Sequence, residues 1–409
     1  MSTGQDRPEK QCAVSGIGQS DIGRRLGRDP FELTLDACYA AVADAGLKPS
    51  DINGLSTYPG NMTQPKGFTG GSAYEVIDAM RLEVDWFDSG VETSGQLGSV
   101  TKAVLAIGGG MADHVLCFRS VWEGSAQGAS GRASLGPGGG GGPGGGRDGT
   151  IYAGESQQWM LPFGSAGAPI WVALYAQAHM DRYGITSEQL AQIALNGRRN
   201  AGLNPKAIYR EPLTLDDYFS SRMITTPLRL FDCDVPCDGA TAFVISRREL
   251  AQDLAKPPVY IEAMGTAIHD RPSWDQLKDL ARTVGTDAAA QMWGRTSLTP
   301  ADVDIAQIYD GFSYLTMLWL EALQLCGRGE SGHFIEGGTR IARDGELPLN
   351  TAGGQLSAGR LHGYGFLHEA CVQLRGEGGE RQVPKQPKVA AVAAGGGNTC
   401  GCLLVTTEA

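Results

Sequence analysis

The sequence predicts an α/β chain built from two similar halves. Two observations carry this. Short runs of small and β-branched residues alternate with helical patterns, and one helix-turn-strand unit recurs at a constant distance along the chain. The first strand is "QCAVSGIG". After a loop, "DPFELTLDACYAAVADAGL" places apolar residues at helical spacing, and "KPSDINGLSTY" turns into a second strand. The unit returns when "DAAAQMWGRTSLTPADVDIAQIY" is laid over "DACYAAVADAGLKPSDINGLSTY" without a gap. Asp36, Ala37, Leu47, Pro49, Asp51 and Ile52 then fall on Asp287, Ala288, Leu298, Pro300, Asp302 and Val303, each 251 positions on. Repeats of that length are duplicated domains and not solenoid units. The second copy begins near "PPVYIEAMGTA", which divides the chain into halves 1–255 and 256–409.

The middle of the chain, from "YAQAHMDRYGITSEQLAQIALNGRRNAGLNPKA" to "DDYFSSRMITTPLRLFDCDVPCDGATAFVIS", reads as two helices, a loop and a strand. Thr186 or Ser187 can cap the second helix, with Glu188 and Gln189 in its first turn. His179 is expected on a helix surface. The run "GPGGGGGPGGG", Gly136 to Gly146, cannot hold a packed element and predicts a mobile loop within the first half. It lacks the Lys-Ser/Thr of a phosphate-binding loop. In "GIGQSDIG", Asp21 stands where a dinucleotide fingerprint needs its third glycine.

Composition narrows the function classes. At 409 residues, with 42% hydrophobic and 19% charged residues, the chain is a folded globular protein of more than one small domain. A net charge of −11 argues against an extended nucleic-acid surface. The polar start "MSTGQDRPEK" and the lack of an apolar run near the roughly 20 residues of a membrane span predict a cytoplasmic protein. Nine cysteines, an odd number, are expected to be reduced thiols. Cys233 with Cys237, and Cys400 with Cys402, lack zinc-site spacing and are expected to be buried structural thiols; no metal is expected on this chain.

The segments "YGITSEQLAQIALNGRRNAGLNPKA", "SRMITTPLRLFDCDVPCDGATAFVIS", "IYDGFSYL" and "NTAGGQLSAGRLHGYG" together resemble the thiolase superfamily, in its sterol-carrier and lipid-transfer branch. The resemblance covers nearly the whole chain. It implies a thiolase fold, two βαβαβαββ halves in a five-layer αβαβα arrangement. A working thiolase of this branch attacks acyl-CoA with a cysteine at a helix start, where the helix end lowers the thiol pKa. Here "ETSGQLGS" occupies that segment and Gly95 the nucleophile position. Ser94 is adjacent, and as a substitute it would need a positioned base. The family's Gly-His-Pro is Gly359-Arg360-Leu361, its second catalytic cysteine falls on Ala393, and the histidine of its His-Asp-x-Phe segment is Tyr309. The cysteine chemistry is absent as a set.

With "YDGF" and "GRLHGYGFLHEA" in place and no thiol, the chain is similar to the steroid side-chain aldolases of this branch. That resemblance implies retro-aldol cleavage of a β-hydroxyacyl-CoA. For the steroid case the substrate is a 17-hydroxy steroid with a three-carbon CoA thioester, and the products are a 17-ketosteroid and propionyl-CoA. Such a reaction needs a base for the hydroxyl proton, stabilisation of a thioester enolate and an acid for the new carbanion. Tyr309 and Tyr364 are the candidates for proton transfer, and the sequence leaves either as base. Asp310, His362 and Arg360 are candidates to tune them, Arg360 being equally placed to contact CoA phosphates or a carboxylate. Gly95, Gly354, Gly363, Gly395 and Gly396 are expected to bring backbone N–H groups to the oxyanion and the CoA. The resemblance also implies a homodimer and a small OB-fold, zinc-ribbon partner, giving a heterotetramer with any zinc on the partner. The competing readings are an acyl-CoA thiolase or acyltransferase and a non-catalytic acyl-CoA-binding protein.

Overall fold

The computed structural model describes residues 7–59, 69–90, 95–127, 158, 161–165, 167–268, 278–396 and 399–408. The glycine-rich run 136–146 and Ser94 lie outside the described residues.

The strands, in chain order, are β1 (Cys12–Gln19), β2 (Gly54–Thr57), β3 (Trp86–Ser89), β4 (His114–Trp122), β5 (Met223–Thr225), β6 (Leu228–Arg229), β7 (Asp238–Arg247), β8 (Val259–Ala267), β9 (Ile305–Ile308), β10 (Val389–Ala394) and β11 (Cys400–Thr406). The principal helices are α1 (Pro30–Asp44), α2 (Ala73–Met80), α3 (Gly98–Gly108), α4 (Ala168–Tyr183), α5 (Ser187–Gly202), α6 (Gly285–Trp293), α7 (Ser313–Ala322) and α8 (Tyr364–Leu374). Their starts follow local chemistry. Asp29 accepts the Phe31 N–H at 2.7 Å ahead of Pro30, which opens α1. Ser72 with Glu75, and Thr186 with Gln189, form reciprocal capping boxes for α2 and α5.

The repeat is visible in three dimensions. Short 3₁₀ turns at Pro49–Asp51 and Pro300–Asp302 each close with an aspartate accepting the N–H three residues back, at 2.7 Å from Lys48 and 2.8 Å from Thr299. β2 and β9 follow at the same offset. β5 and β6 form a small separate hairpin, and the other strands run in the order β3-β2-β4-β7-β1-β8-β11-β10-β9. Four strands of each half correspond: β2 is parallel to β4 as β9 is to β10, and β7 and β11 each lie antiparallel between two neighbours, while β3 adds an edge strand to the first half. They join through Ala13 opposite Tyr260 and Val14 opposite Val259.

Three apolar cores define the layers. One packs α1 and α2 on the first half of the sheet. A second encloses α3 and α8 between the two halves, with Val104, Phe243, Ile261, Leu367 and Val392 at its centre. A third packs α6, α7, α4 and α5 on the second half. Helix, sheet, helix, sheet, helix is the five-layer order expected, and it sets the N-termini of α3 and α8 in the middle layer.

One expectation is overturned. His179 is not on a helix surface: its side chain is fully buried in α4, 3.1 Å from Glu321 and edge-on to Tyr183 and Tyr314. His179 lies on the buried stripe of α4 with Val172, Tyr175, Ala176 and Met180, and the partner carboxylate comes from α7. Of the four closely spaced cysteines, Cys237, Cys400 and Cys402 are buried and Cys233 is half-buried, and none of the nine cysteines is in a disulfide.

Candidate active site

The site is built from the start of α3. At Gly95 the backbone is left-handed, with φ +73°, and a Cβ there would lie 2.7 Å from both the Ala394 carbonyl and the Gly401 N–H. Only glycine fits. The place of the expected nucleophile is therefore a backbone contact with the β10–β11 hairpin, and the turn carries the next side chain inward. Gln96, 4% exposed, donates from Nε2 to Tyr309 Oη at 3.4 Å. One turn on, the hydroxyls of Ser99 and Tyr364 are hydrogen-bonded. Two phenols from the second half thus meet one helix N-terminus from the first, where the unpaired N–H groups make the potential positive.

The two phenols sit in different surroundings. Tyr309, at the end of β9, is half-buried, with its ring edge-on to Phe366 and its hydroxyl above Gly311. Tyr364, the first residue of α8, is fully buried against Phe243, with ring centroids 5.0 Å apart. Burial pushes its phenol well above the ordinary value near 10, while the Ser99 contact pulls the other way. Tyr364 keeps its proton at neutral pH.

Beneath them lies a buried polar floor. Asp310, 1% exposed, accepts the Gln355 N–H at 2.7 Å, and burial raises it to about 7 against the backbone N–H groups of Gln355 and Leu356. Arg360 resolves towards carboxylates: its Nε lies 2.8 Å from Glu123 Oε2 and its Nη1 3.5 Å from Asp234. Burial alone would raise Glu123, but Arg360 holds its carboxyl well below the usual range. His362 sits 3.7 Å from Glu123 with a left-handed backbone. Burial and the nearby Arg119 lower it to about 4, so the ring is neutral. Its carbonyl accepts the Tyr58 hydroxyl at 2.7 Å.

Of the glycines, Gly363 abuts Gln96 and Ala394, Gly354 abuts Asp310, and the Gly395 carbonyl accepts Trp319 Nε1 at 3.0 Å; Gly396 follows, half-buried. Beside the 354–366 segment lies a cleft of about 170 Å³, lined by Gly354, Gly359, Leu361, Phe366, Lys206 and Arg381. Tyr309, Tyr364 and Arg360 do not line it. Sequence reasoning missed Gln96, Ser99, Tyr58, Glu123 and Asp234. Gln96 alone carried a signal, its place directly after the nucleophile position. Among the described residues no group of three or more His, Cys, Asp or Glu side chains could hold a metal ion, and no helix is long and apolar enough to cross a membrane.

Residues 266–405 match the family model described as Thiolase C-terminal domain-like. The chain is 35% identical over 374 residues to the steroid side-chain-cleaving aldolase of Thermomonospora curvata, covering 89% of this chain and 90% of that one. The chain belongs to the thiolase-like family. Within it, identity is 33% over 389 residues to the 17-hydroxy-3-oxo-4-pregnene-20-carboxyl-CoA lyase of Mycobacterium tuberculosis, with 90% and 92% covered. Among solved structures, the Ltp2-ChsH2(DUF35) aldolase superposes on this thiolase-like chain with a TM-score of 0.84 at 31% identity, covering 97% of each. An acetyl-CoA acetyltransferase from Syntrophomonas wolfei, 15% identical with a TM-score of 0.68 over 97% of this chain and 99% of that one, shares the fold.

Proposed function

We propose that this chain cleaves a β-hydroxyacyl-CoA by retro-aldol reaction, and that its substrate is a 17-hydroxy steroid carrying a three-carbon CoA thioester. A base removes the 17-hydroxyl proton, the C–C bond to the side chain breaks as the ketone forms, and the electron pair passes into the thioester enolate. Protonation of the enolate carbon gives propionyl-CoA, so 17-ketosteroid and thioester together account for every atom of the substrate. No covalent intermediate is required.

The observation that carries this reading is the pairing of Tyr309 and Tyr364 with the N-terminus of α3, at the position where glycine replaces the thiol. The names of the relatives at 35% and 33% identity support it. Tyr309 and Tyr364 share the proton transfers, and Asp310, Arg360 and His362 hold the surrounding loops. Backbone N–H groups at Gly95, Gly354, Gly363, Gly395 and Gly396 are the candidate donors to the enolate and the CoA arm, where preorganised donors supply a few kcal/mol. The proposed assembly is a homodimer that docks a small OB-fold, zinc-ribbon protein as a heterotetramer; the ChsH2(DUF35) component of the structural neighbour supports a partner of this kind. The zinc would belong to that partner, and the assembly would be cytoplasmic.

The test is co-expression with the partner, incubation with the 17-hydroxy steroid CoA thioester, and chromatography of propionyl-CoA and ketosteroid. Equal amounts of both, collapsing in Tyr309→Phe and Tyr364→Phe, are expected. Binding without either product in the wild type would overturn the proposal in favour of a binding role.

A further inference from the structure

We infer that Gln96 is the residue that makes Tyr309 the proton acceptor of the tyrosine pair. The inference rests on the retro-aldol reading and adds a positioning residue to it. Gln96 Nε2 is 3.4 Å from Tyr309 Oη, and its side chain is almost wholly buried. An N–H aimed at a phenol oxygen favours the phenolate, the form that can take a proton from a hydroxyl. Once Tyr309 is charged, only the N–H of the amide can face it, so the contact selects one orientation of Gln96.

The other end of the amide argues against a purely structural role. Gln96 Oε1 is buried and has no hydrogen-bond partner among the described residues. A glutamine held for packing would have both ends satisfied, because a buried polar atom left open is costly. The second phenol has the opposite environment: Tyr364 meets a hydroxyl, Ser99, in a fully buried pocket. The pair is thus divided by two side chains at the entry to α3, an amide from the preceding turn to one and a hydroxyl from the first turn to the other.

Among the described residues, several charged and titratable groups face Tyr309. Arg360 acts on it electrostatically and is itself paired with Glu123 and Asp234. Asp310 is its chain neighbour, and His362 stands behind Arg360 at Glu123. From α8 it meets the uncharged Phe366, and from α7 the Thr316 hydroxyl, which donates to its carbonyl.

The experiment compares Gln96→Glu and Gln96→Met with the wild-type assembly. Glutamate keeps the shape and removes the N–H; methionine keeps the bulk and removes both polar atoms. The rising limb of log kcat against pH is expected to move up by roughly one to two pH units in both. The loss of about 10- to 100-fold at neutral pH would then be regained at alkaline pH, with KM little changed. A uniform loss at every pH, or none, would overturn the inference. A second measurement needs no substrate: the tyrosinate absorbance of each protein is titrated against the same protein carrying Tyr309→Phe. The difference curve should move to higher pH in the Gln96 variants. An unmoved curve overturns the role of Gln96 even if the wild type proves inactive on the steroid thioester, so the two failures are distinguishable.

Discussion

The carboxylate of Asp310 fills the space that a side chain on Gly354 would need: a Cβ there would lie 1.8 Å from Asp310 Oδ2. The backbone at Gly354 is also left-handed, with φ +59°. Gly354→Ala must therefore both strain the chain and push a buried carboxylate off the Gln355 N–H. A loss of about 2–4 kcal/mol is expected, measured by urea unfolding, and a loss within experimental error of zero would show that the loop relaxes freely.

Arg360 neutralises two carboxylates, Glu123 and Asp234, each 3% exposed or less at its side chain. Removing it in Arg360→Met takes the buried cation from beside both, and a cost of about 3–5 kcal/mol follows. Adding Glu123→Gln to that variant should cost less than the sum of the single changes. A double-mutant cycle on unfolding free energies checks this, and strict additivity would refute the pairing.

Asp310 and His362 pull the pH dependence of stability in opposite directions. Burial raises Asp310 to about 7 from an ordinary value near 4, so the native state holds the extra proton and stability falls as pH rises through that window. His362 is lowered by burial and Arg119 to about 4 from an ordinary value near 6.5, so its contribution is lost as pH falls from about 6.5 towards 4. Asp310→Asn should leave a protein whose stability climbs with pH more steeply than the wild type across this range. Parallel curves from urea unfolding at stepped pH would contradict it.

Seven of the nine thiols are buried, and burial pushes Cys12 and Cys371 up to about 12. Iodoacetamide at neutral pH should label no more than the half-buried Cys233 and Cys326, and product formation should survive. Labelling coupled to loss of activity, read by mass spectrometry beside the assay, would restore a thiol mechanism.

The duplication was legible because its signal is local. A proline and an aspartate two positions later set the same turn in both halves, at Pro49–Asp51 and Pro300–Asp302, and each turn feeds a strand at a fixed distance. The positions of Tyr309, Tyr364 and Gly95 were legible through resemblance, since each replaces a familiar residue in an ordered motif. What escaped was long-range. His179 looks like a surface residue until Glu321 arrives from 142 positions away, and Arg360 gives no sign of Glu123, 237 positions distant. Ser99 and Tyr58 read as filler, because what marks them is which side chain from the other half lands on them.

The strand order has a consequence for how the chain is made. In each half the strand synthesised last, β7 or β11, is the one that lies between two earlier strands, β4 and β1 or β10 and β8. Until it is inserted, both neighbours present open, apolar edges, and open edges are templates for wrong pairing. Each half therefore closes late, from the inside, and the interval before closure is when the nascent protein most needs shielding from its own copies.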